Sequence, residues 1–493
     1  MPMESKRLGG SRTRAACLFA AGLFLAGCAV NPATGEREVS LVSESQEIEM
    51  GRAADPTATM QFGGLYPDDA LQSYVSQIGH RLAEESERPN LPWSFKLVDH
   101  ELINAFALPG GFIYITRGIL SHMNSEAELA AVLGHEVGHV TARHTAQQVT
   151  RQQLGVIGLI GASVFSETVR ENAGVAMAGM QLLLLRYGRD AEREADALGF
   201  RYMTRTGHHP EGMSRVMRTL ASTSPTSSEL GIPSWLLSHP DPGDRVAAND
   251  RRIAQAGSEL AGMEIRQEPL MDRLDGLVFG PDPRVGFFLA ERFVHPTLRF
   301  EMTYPRGWDV ANGPQAVDGL SPEQNVALQL TFAAESSLDA ALAAFRSIEG
   351  VEVLESGSTR TNGLDTRAAT FAAATPNGEA LAGRVHFVSH GGDIYRLLSY
   401  AGEENWRRGV GEGAVQAMET FEALSSSEFR NVTPHRIRIV RLERAMTGAE
   451  FLRAYPSSVG NEEVLLANQV ESDQLLERGR LMKQIAGGHI PRS

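Results

Sequence analysis

The sequence predicts an α+β protein whose first half is mainly helical around a small sheet. Three observations carry this prediction. Apolar residues recur at three- and four-residue steps between Leu71 and Leu82, as on the buried face of a helix. Residues 93–99 alternate with the two-residue period of a half-buried strand. After Gly286 the pattern changes to alternating strands and alanine-rich helices, which indicates a separate α+β module.

Length and charge limit the possible classes of protein. A chain of 493 residues is long enough for two to four domains. The net charge of -14 argues against a nucleic-acid-binding protein, whose contact surface would be basic. No apolar run after the N-terminal segment reaches the roughly 18 residues of a membrane-spanning helix. We expect four segments, namely a signal peptide (1–27), a first domain (28–278), an α+β module (285–424) and a C-terminal unit (432–488).

The N-terminal segment has the features of a targeting sequence. A basic stretch precedes an apolar run over residues 15–27, which ends in Leu25-Ala26-Gly27-Cys28. These four residues resemble the lipobox of bacterial lipoproteins, which implies cleavage before Cys28 and a membrane anchor of acyl chains on that residue. An ordinary secretory peptide is the alternative. The resemblance implies a place in the bacterial cell envelope. Because no Asp follows Cys28, it favours the outer membrane, facing the periplasm, over the inner membrane.

The remaining elements follow from local patterns. Strands are predicted at residues 93–99, 104–111, 112–116, 300–305, 327–332 and 384–389. Helices are predicted at residues 154–165, 173–185, 190–203, 245–256, 338–345 and 406–421. A further helix is expected to begin near Ser125, which forms a capping-box pattern with Glu128. Residues 222–234 are rich in Ser, Thr, Pro and Gly and predict a loop.

The helix that begins near Ser125 carries a possible metal site, His135-Glu136-Val137-Gly138-His139. The two histidines are about 40° apart around a helix and one turn apart along it, so both imidazoles can bind one Zn²⁺. Glu136 lies beside the metal, where it can accept a proton from the attacking water. An amphipathic helix with exposed histidines is the alternative. The apolar run before His135 disfavours it, because unpaired polar groups there would be costly.

Two segments together resemble the M48 metallopeptidases. The first is residues 135–144, which begin with the two-histidine motif, and the second is Arg189-Asp190-Ala191-Glu192-Arg193-Glu194-Ala195-Asp196. The resemblance extends over about residues 40–270. It implies a gluzincin-like metalloprotease domain, in which a Glu from a second helix completes the site of one zinc ion per subunit.

The resemblance assigns roles to the residues of the second segment. The family's Glu-x-x-x-Asp motif falls on Glu192 and Asp196, which implies that Glu192 is the third zinc ligand after His135 and His139. Asp196 would hold a ligand imidazole in the catalytic site. Glu194 lies about 200° around the helix from Glu192 and is expected to point away.

A loop histidine is a further candidate for the catalytic site. Ser238-His239-Pro240 resembles a loop of the bacterial envelope branch of the family. There His239 would occupy the water position and keep the enzyme latent, or stabilise an oxyanion when displaced. A loop histidine without a role is the alternative. Arg245 matches a family arginine that would orient the substrate or the loop.

The other histidines are expected to lie outside the metal site. His144 is about 180° from His135 around a straight helix and is predicted to be structural. Residues 208–209 precede a proline in a turn. His386 and His390 share the spacing of the metal motif, but in a strand they are about 13 Å apart, which predicts a surface pair.

The resemblance implies a zinc metalloendopeptidase. Residues 104–111 resemble the family's edge strand, and a free strand edge can pair with an extended peptide. The implied substrates are unfolded or misfolded envelope proteins, and the implied role is protein quality control. A periplasmic chaperone or assembly scaffold with a latent zinc site is the alternative. Glu136 discriminates between them, because a structural zinc site needs four protein ligands and no general base.

The C-terminal segments carry weaker resemblances. Residues 285–424 resemble PsbP-like modules, and residues 432–488 resemble a LysM-like unit with Asn468 at a typical position. Arg436 and Arg438 lie on one face of a predicted strand. This face would contact peptidoglycan or an envelope partner, and a merely solvated face is the alternative.

Overall fold

The computed structural model describes residues 28–151, 186–223, 235–240, 242–375 and 378–490. Its named helices are α1 (Glu44–Gln61), α2 (Asp69–Glu84), α3 (Arg117–Leu120), α4 (Glu126–Thr141), α5 (Arg189–Arg205), α6 (Glu211–Ala221), α7 (Trp235–Ser238), α8 (Pro242–Ala256), α9 (Gln267–Leu274), α10 (Leu338–Arg346), α11 (Glu403–Arg407), α12 (Glu412–Glu419), α13 (Gly448–Ala454) and α14 (Asn461–Asn468). In the described ranges, no helix combines the length and apolar character that crossing a bilayer requires.

The strands complete the mixed α+β fold that the sequence predicts. They are β1 (Cys28–Val30), β2 (Arg37–Val39), β3 (Ser94–Val98), β4 (Ala105–Leu108), β5 (Phe112–Thr116), β6 (Val278–Phe279), β7 (Phe287–Leu289), β8 (Arg292–His295), β9 (Phe300–Thr303), β10 (Asp309–Asn312), β11 (Ala316–Leu320), β12 (Val326–Phe332), β13 (Val351–Thr361), β14 (Leu364–Ala374), β15 (Ala380–His390), β16 (Asp393–Gly402), β17 (Glu422–Ala423), β18 (Thr433–Arg441), β19 (Met446–Thr447), β20 (Leu475–Leu476) and β21 (Leu481–His489). The helices predicted at 154–165 and 173–185, and most of the loop predicted at 222–234, lie outside the described residues.

The first part of the chain packs helices on a small sheet. The strand order is β3-β5-β4, with β3 parallel to β5 and β4 antiparallel at one edge. This confirms the three strands predicted between residues 93 and 116 and the edge position of the middle segment. Both α2 and α4 pack nearby, and α4 lies beside the edge strand β4.

Helix α4 begins where the sequence predicts. The Ser125 side chain accepts a hydrogen bond from the backbone N–H of Glu128. The Glu128 carboxylate accepts from the Ser125 hydroxyl and from the backbone N–H of Asn124, so the reciprocal bond of a capping box is shifted by one residue. Every residue of α4 is buried, because the helix is covered by the sheet and by other helices on all sides.

Glycines let α4 and α5 approach each other closely. A Cβ atom added at Gly138 would lie 2.9 Å from the carbonyl oxygen of Ala195, and one added at Gly199 would lie 3.0 Å from the backbone nitrogen of His135. Because glycine has no Cβ atom, the two backbones can approach each other at both positions. This contact brings the histidines of α4 to the start of α5.

The second part is an antiparallel α+β module. Seven strands form one sheet in the order β10-β11-β12-β16-β15-β14-β13, and four form another in the order β17-β9-β8-β7. The single helix predicted over residues 406–421 is wrong, since α11 and α12 are separate helices. The break contains Gly409, whose φ of 81° is left-handed and ends the first helix.

The prediction of a surface histidine pair is wrong for His386. Its strand β15 pairs with β14 on one side and β16 on the other, so it is interior to the sheet. His386 is 2% exposed, and its Nε2 accepts a hydrogen bond from Arg384 at 3.0 Å. Burial lowers the pKa of His386 to about 4. His390 instead lies near the carbonyl oxygen of Arg299, so the two histidines do not form a common site.

The C-terminal unit packs against the first part of the chain. Strand β18 pairs with β21 and also with β6, which precedes the α+β module. The buried side chains of Ile437 in β18 and Ile485 in β21 belong to the same hydrophobic core as Leu270 of α9. Residues 433–489 are therefore close in space to a part of the chain that is distant in sequence.

A buried lysine joins the C-terminal unit to the segment that enters α4. The Lys483 side chain is fully buried, and its Nζ donates to the carbonyl oxygens of Ser121, Met123 and Ala467 at 2.7, 2.6 and 3.1 Å. Burial lowers the pKa of this amine to about 7. The lysine thus ties strand β21 to the turn before the metal-motif helix.

We predict that Gly138→Ala destabilises the protein by about 1–3 kcal/mol, because the added Cβ overpacks the contact between α4 and α5. Chemical denaturation measures this loss. The control is Gly243→Ala in α8, where an added Cβ meets no atom of the described residues within 4 Å, and its stability should be unchanged or slightly raised. Equal stability of the two variants would contradict the prediction.

We predict that Lys483→Met lowers the free energy of unfolding by about 1–3 kcal/mol or more, because buried carbonyl oxygens lose their donor. Arg441→Met is the control, since this arginine makes an ion pair with Glu268 on an exposed surface. Its effect should stay within about 0.5 kcal/mol. Thermal unfolding of both variants measures the two stability losses. A larger loss in Lys483→Met shows that the buried hydrogen bonds matter, rather than the removal of a positive charge.

Candidate metal centre

Helix α4 presents its two motif histidines to one point. The Nε2 atoms of His135 and His139 are 3.0 Å apart, one turn from each other along the helix. Both side chains are almost fully buried. The structure therefore brings these two residues together as the sequence predicts.

Glu192 reaches the same point from the first turn of α5. Its Oε1 lies 3.4 Å from His139 Nε2, and its Oε2 lies 3.5 Å from His135 Nε2. The close contact of α4 with α5 gives this distance, because the two helix backbones meet at glycines. Two imidazoles and one carboxylate thus converge, which is the donor set of a catalytic zinc site.

His239 joins this group from the segment after α7. Its Nδ1 lies 3.0 Å from Glu192 Oε1 and 3.2 Å from His135 Nε2. Among the described residues, one set of three or more His, Cys, Asp or Glu can hold a metal ion, with ligand atoms within 4.8 Å of one another: His135, His139, Glu192 and His239. The indole of Trp235 stacks on the His239 ring at 4.9 Å and holds it in the site.

Opposing effects set the charge of His239. Burial by itself lowers the pKa of this imidazole, but the carboxylates of Glu192 and Glu136 outweigh burial and raise the pKa. For His139, burial and the neighbouring His135 lower the pKa well below its usual value. A neutral His139 is the form that binds a metal.

Asp196 and Arg245 support the site from behind. Asp196 Oδ1 lies 2.9 Å from His135 Nδ1, and the Arg245 guanidinium donates to both oxygens of Asp196 at 2.8 and 2.7 Å. Burial would raise the pKa of Asp196, but Arg245 holds it well below its usual range. The ionised Asp196 keeps the proton of His135 on Nδ1, so that Nε2 is free to bind a metal.

Glu136 is a buried carboxylate of the metal-motif helix. Both of its carboxylate oxygens are buried, and neither has a hydrogen-bond partner among the residues that the structure describes. The nearest basic atom is His239 Nε2, 3.7 Å from Oε1. Burial raises the pKa of Glu136. An unpaired buried carboxylate beside converging imidazoles fits a site that holds a cation and a reacting water.

The structure places His144 nearer the site than the helical wheel predicts. Helix α4 ends at Thr141, and Arg143 adopts a left-handed φ of 60°, so a straight helix does not reach His144. The turn places His144 Nδ1 at 2.8 Å from His139 Nδ1. His144 is outside the metal-binding set, as predicted, but the geometric reason given for it was wrong.

A further histidine considered from the sequence, His208, forms its hydrogen bond outside the metal centre. His208 is buried and lies 3.0 Å from Glu126, so it does not join the metal centre.

Two aromatic residues of the site were not predicted from the sequence. Tyr187 stacks on His139 at 3.9 Å, and Trp235 stacks on His239. Their only signal in the sequence is their position shortly before Glu192 and His239.

Comparison with known proteins identifies the region that carries this centre. Residues 69–253 match the model of Peptidase family M48. The beta-barrel assembly-enhancing protease of Yersinia pestis is 32% identical over 240 residues, which cover 45% of this chain and 47% of that protein. The protein of the same name from Escherichia coli (strain K12) is 30% identical over 236 residues, with 45% and 47% covered. Mitochondrial metalloendopeptidase OMA1 of Arabidopsis thaliana is 30% identical over 227 residues, with 45% and 44% covered.

The chain spans about half the length of these curated relatives. Solved structures similar to part of the chain include PsbP (CyanoP) from Synechocystis sp. PCC 6803, which matches 28% of this chain and 94% of its own, with 13% identity and a TM-score of 0.23. The Ran-binding protein Mog1p of Saccharomyces cerevisiae matches 28% and 97%, with 9% identity and a TM-score of 0.22. The match to Peptidase family M48 covers residues 69–253 and includes both helices that carry the metal-binding residues, α4 and α5.

Proposed function

We propose that this chain is a zinc-dependent metalloendopeptidase. The observation that carries the proposal is the position of Glu136, a fully buried carboxylate beside three converging metal ligands, whose oxygens accept no hydrogen bond from the described part of the chain. A structural zinc site has no use for such a group, whereas hydrolysis needs a base next to the attacking water. The match to Peptidase family M48 supports the same conclusion.

In this proposal His135, His139 and Glu192 hold one zinc ion. When bound, zinc polarises the scissile carbonyl and acidifies the attacking water. Asp196 positions His135 through the hydrogen bond to Nδ1, and Arg245 fixes Asp196. These contacts keep the ligand imidazole in one orientation and one tautomer.

Glu136 performs the proton transfers. Its carboxylate accepts a proton from the water as that water attacks the peptide carbonyl. The protonated side chain then donates the proton to the nitrogen of the leaving amine. Its place on α4, next to the ligand His135, lets the same carboxyl group carry the proton between the two steps.

The edge strand β4 is proposed to bind the peptide. It pairs with β5 on one side and lies beside α4, which carries the metal ligands. Backbone pairing along such an edge selects extended chains with little preference for side chains. This supports unfolded or misfolded proteins as substrates and protein quality control as the role.

His239 is proposed to keep the enzyme latent. It lies among the metal ligands and is 1% exposed, so it takes the space that a reacting water and the peptide require. The backbone N–H of Trp235 donates to the carbonyl oxygen of Ile103 at 2.9 Å, immediately before the proposed edge strand. The segment that carries His239 is thus attached beside the proposed peptide-binding edge.

The N-terminal residues support the proposed location in the cell envelope. Cleavage before Cys28 and acylation of that residue would anchor the chain to the periplasmic face of the outer membrane. Strand β1 starts at Cys28 and pairs with β2, so the anchored end belongs to the folded part. Envelope proteins are then the accessible substrates. The relatives from Yersinia pestis and Escherichia coli are named beta-barrel assembly-enhancing proteases, which supports a proteolytic role.

The C-terminal segments are proposed to be PsbP-like and LysM-like modules. Within the LysM-like unit, Asn468 is buried and bonded to the backbone of Lys483, which gives it a structural role. Arg436 donates to the carbonyl oxygen of Gly276, and Arg438 lies 3.7 Å from Asp275. These contacts within the chain favour packing over peptidoglycan binding for the basic face.

We predict that Glu136→Gln lowers the cleavage rate of an unfolded model protein by at least about 10²–10⁴-fold while zinc stays bound, because the general base is lost. Zinc content and cleavage are measured on the same samples of chain lacking residues 1–28. A chelator should abolish activity of the native chain, and added zinc should restore it. Unchanged cleavage in Glu136→Gln would exclude this base. A scaffold function would follow if no zinc binds to the native chain.

We predict that His239→Ala raises the cleavage rate by about tenfold or more, since open minor states are commonly about 0.1–10% populated. The measurement is the initial rate of cleavage at equal zinc content. The double variant Glu136→Gln/His239→Ala is the control and should be inactive, which assigns the gain to this site. A lower rate in His239→Ala would instead indicate that His239 stabilises the oxyanion.

A further inference from the structure

We propose that His144 and Glu194 position His139 for metal binding through a chain of hydrogen bonds, and that Asn31 fixes the outer end of this chain. The inference rests on the proposed zinc site and adds residues that act through one of its ligands. It starts from two side chains that lie outside the metal-binding set yet are aligned with it.

The first observation is the turn at the end of α4. The helix stops at Thr141, Arg143 has a φ of 60°, and a new helical stretch starts at His144. A non-glycine residue at this φ is uncommon and costs conformational energy. The turn returns the chain toward α4 and places the buried His144 ring against His139, with 2.8 Å between their Nδ1 atoms.

The second observation is that one placement of the ring protons on His139 and His144 is compatible with both hydrogen bonds of the chain. His139 Nε2 faces the other ligands, so it needs its lone pair there and carries its proton on Nδ1. This Nδ1–H donates to His144 Nδ1, which must then be the unprotonated nitrogen. The proton of His144 is therefore on Nε2, which lies 3.3 Å from Glu194 Oε2. The carboxylate accepts at the end of the chain.

The two ligand histidines are thus supported in parallel ways. Asp196 is one turn beyond Glu192 on α5, and it accepts directly from His135 at 2.9 Å. Glu194 points to a different side of α5 and lies outside the metal-binding set. The His144 imidazole lies between Glu194 and His139 and connects them. The turn at Arg143 places it there.

The outer end of the chain is held by the N-terminal segment. Asn31 is 1% exposed, and its Nδ2 donates to Glu194 Oε1 at 3.3 Å and to the carbonyl oxygen of Ala142 at 3.4 Å. Its Oδ1 accepts from the backbone N–H of Ala33 at 2.9 Å. Asn31 therefore joins three elements: the N-terminal hairpin, the turn after α4, and α5. It lies three residues after Cys28, the proposed anchor point.

The expected effect is on metal affinity. Partners that orient a ligand imidazole commonly contribute about 10- to 100-fold to affinity. His144→Ala should therefore weaken zinc binding by about this factor. His144→Asn keeps an acceptor near the position of Nδ1 and should recover part of the loss. Glu194→Gln should produce a smaller loss than His144→Ala, because it leaves the contact to His139 in place.

The experiment is a chelator competition that measures the zinc dissociation constant of the chain lacking residues 1–28. The matched control is His208→Ala, which removes an equally buried histidine bonded to Glu126, away from the metal centre. Its affinity for zinc should equal that of the native chain. Visible absorption of the cobalt-substituted protein gives a second readout, because it reports ligand geometry, and it should change in His144→Ala but not in His208→Ala.

Each outcome decides a separate question. Native-like zinc affinity in both His144→Ala and Glu194→Gln overturns the inference and leaves the proposed function standing. An equal loss in His208→Ala also overturns it, since the effect would then be general destabilisation. Absence of zinc binding in the native chain overturns the proposed function as well. If His144→Ala does not fold, His144→Asn and Glu194→Gln provide the test.

Discussion

The close contact between α4 and α5 is the constraint on which the rest of the site depends. At Gly138 and Gly199 no side chain separates the two backbones, so the helices meet along the faces that carry functional residues. Imidazoles on α4 then lie within 3.5 Å of the Glu192 carboxylate. A methyl group at either position would push the helices apart and lengthen these distances. The short distance between the helices therefore requires glycine at these positions, although glycine lowers the stability of a helix.

That contact also creates an electrostatic problem, because several ionisable groups are removed from water together. Charged groups are stable in such a place only when they are paired. Arg245 provides the pairing for Asp196 and Glu192, at 2.7 and 2.8 Å. Glu136 has no hydrogen-bonded partner within the described ranges. The supporting groups Asp196 and Arg245 are hydrogen-bonded to each other, whereas the nearest charged partner of Glu136 is His239 at 3.7 Å. This contrast distinguishes the residues that hold the site from the proposed general base.

Helix α4 is held at both ends by distant parts of the chain. At its start, Gln469 of the C-terminal unit donates to Glu128 at 2.7 Å, and Lys483 ties down the preceding turn. At its end, Asn31 of the N-terminal hairpin bonds to the Ala142 carbonyl oxygen. The C-terminal unit therefore contributes to the rigidity of the metal-motif helix. Preorganisation of this kind matters because ligand atoms must converge without large rearrangement.

The sequence by itself determined what depends on local periodicity: strands β3 to β5, the start of α4 at Ser125, and the one-turn spacing of His135 and His139. The order of strands, the shared core and the placement of His239 were decided only by the tertiary structure. Periodicity reports which face of an element is apolar, but it does not report which distant element covers that face. His386 illustrates this limit, because its burial comes from the two strands beside it. The His144 turn illustrates another, since a left-handed φ at an arginine has no signal in the pattern of residues.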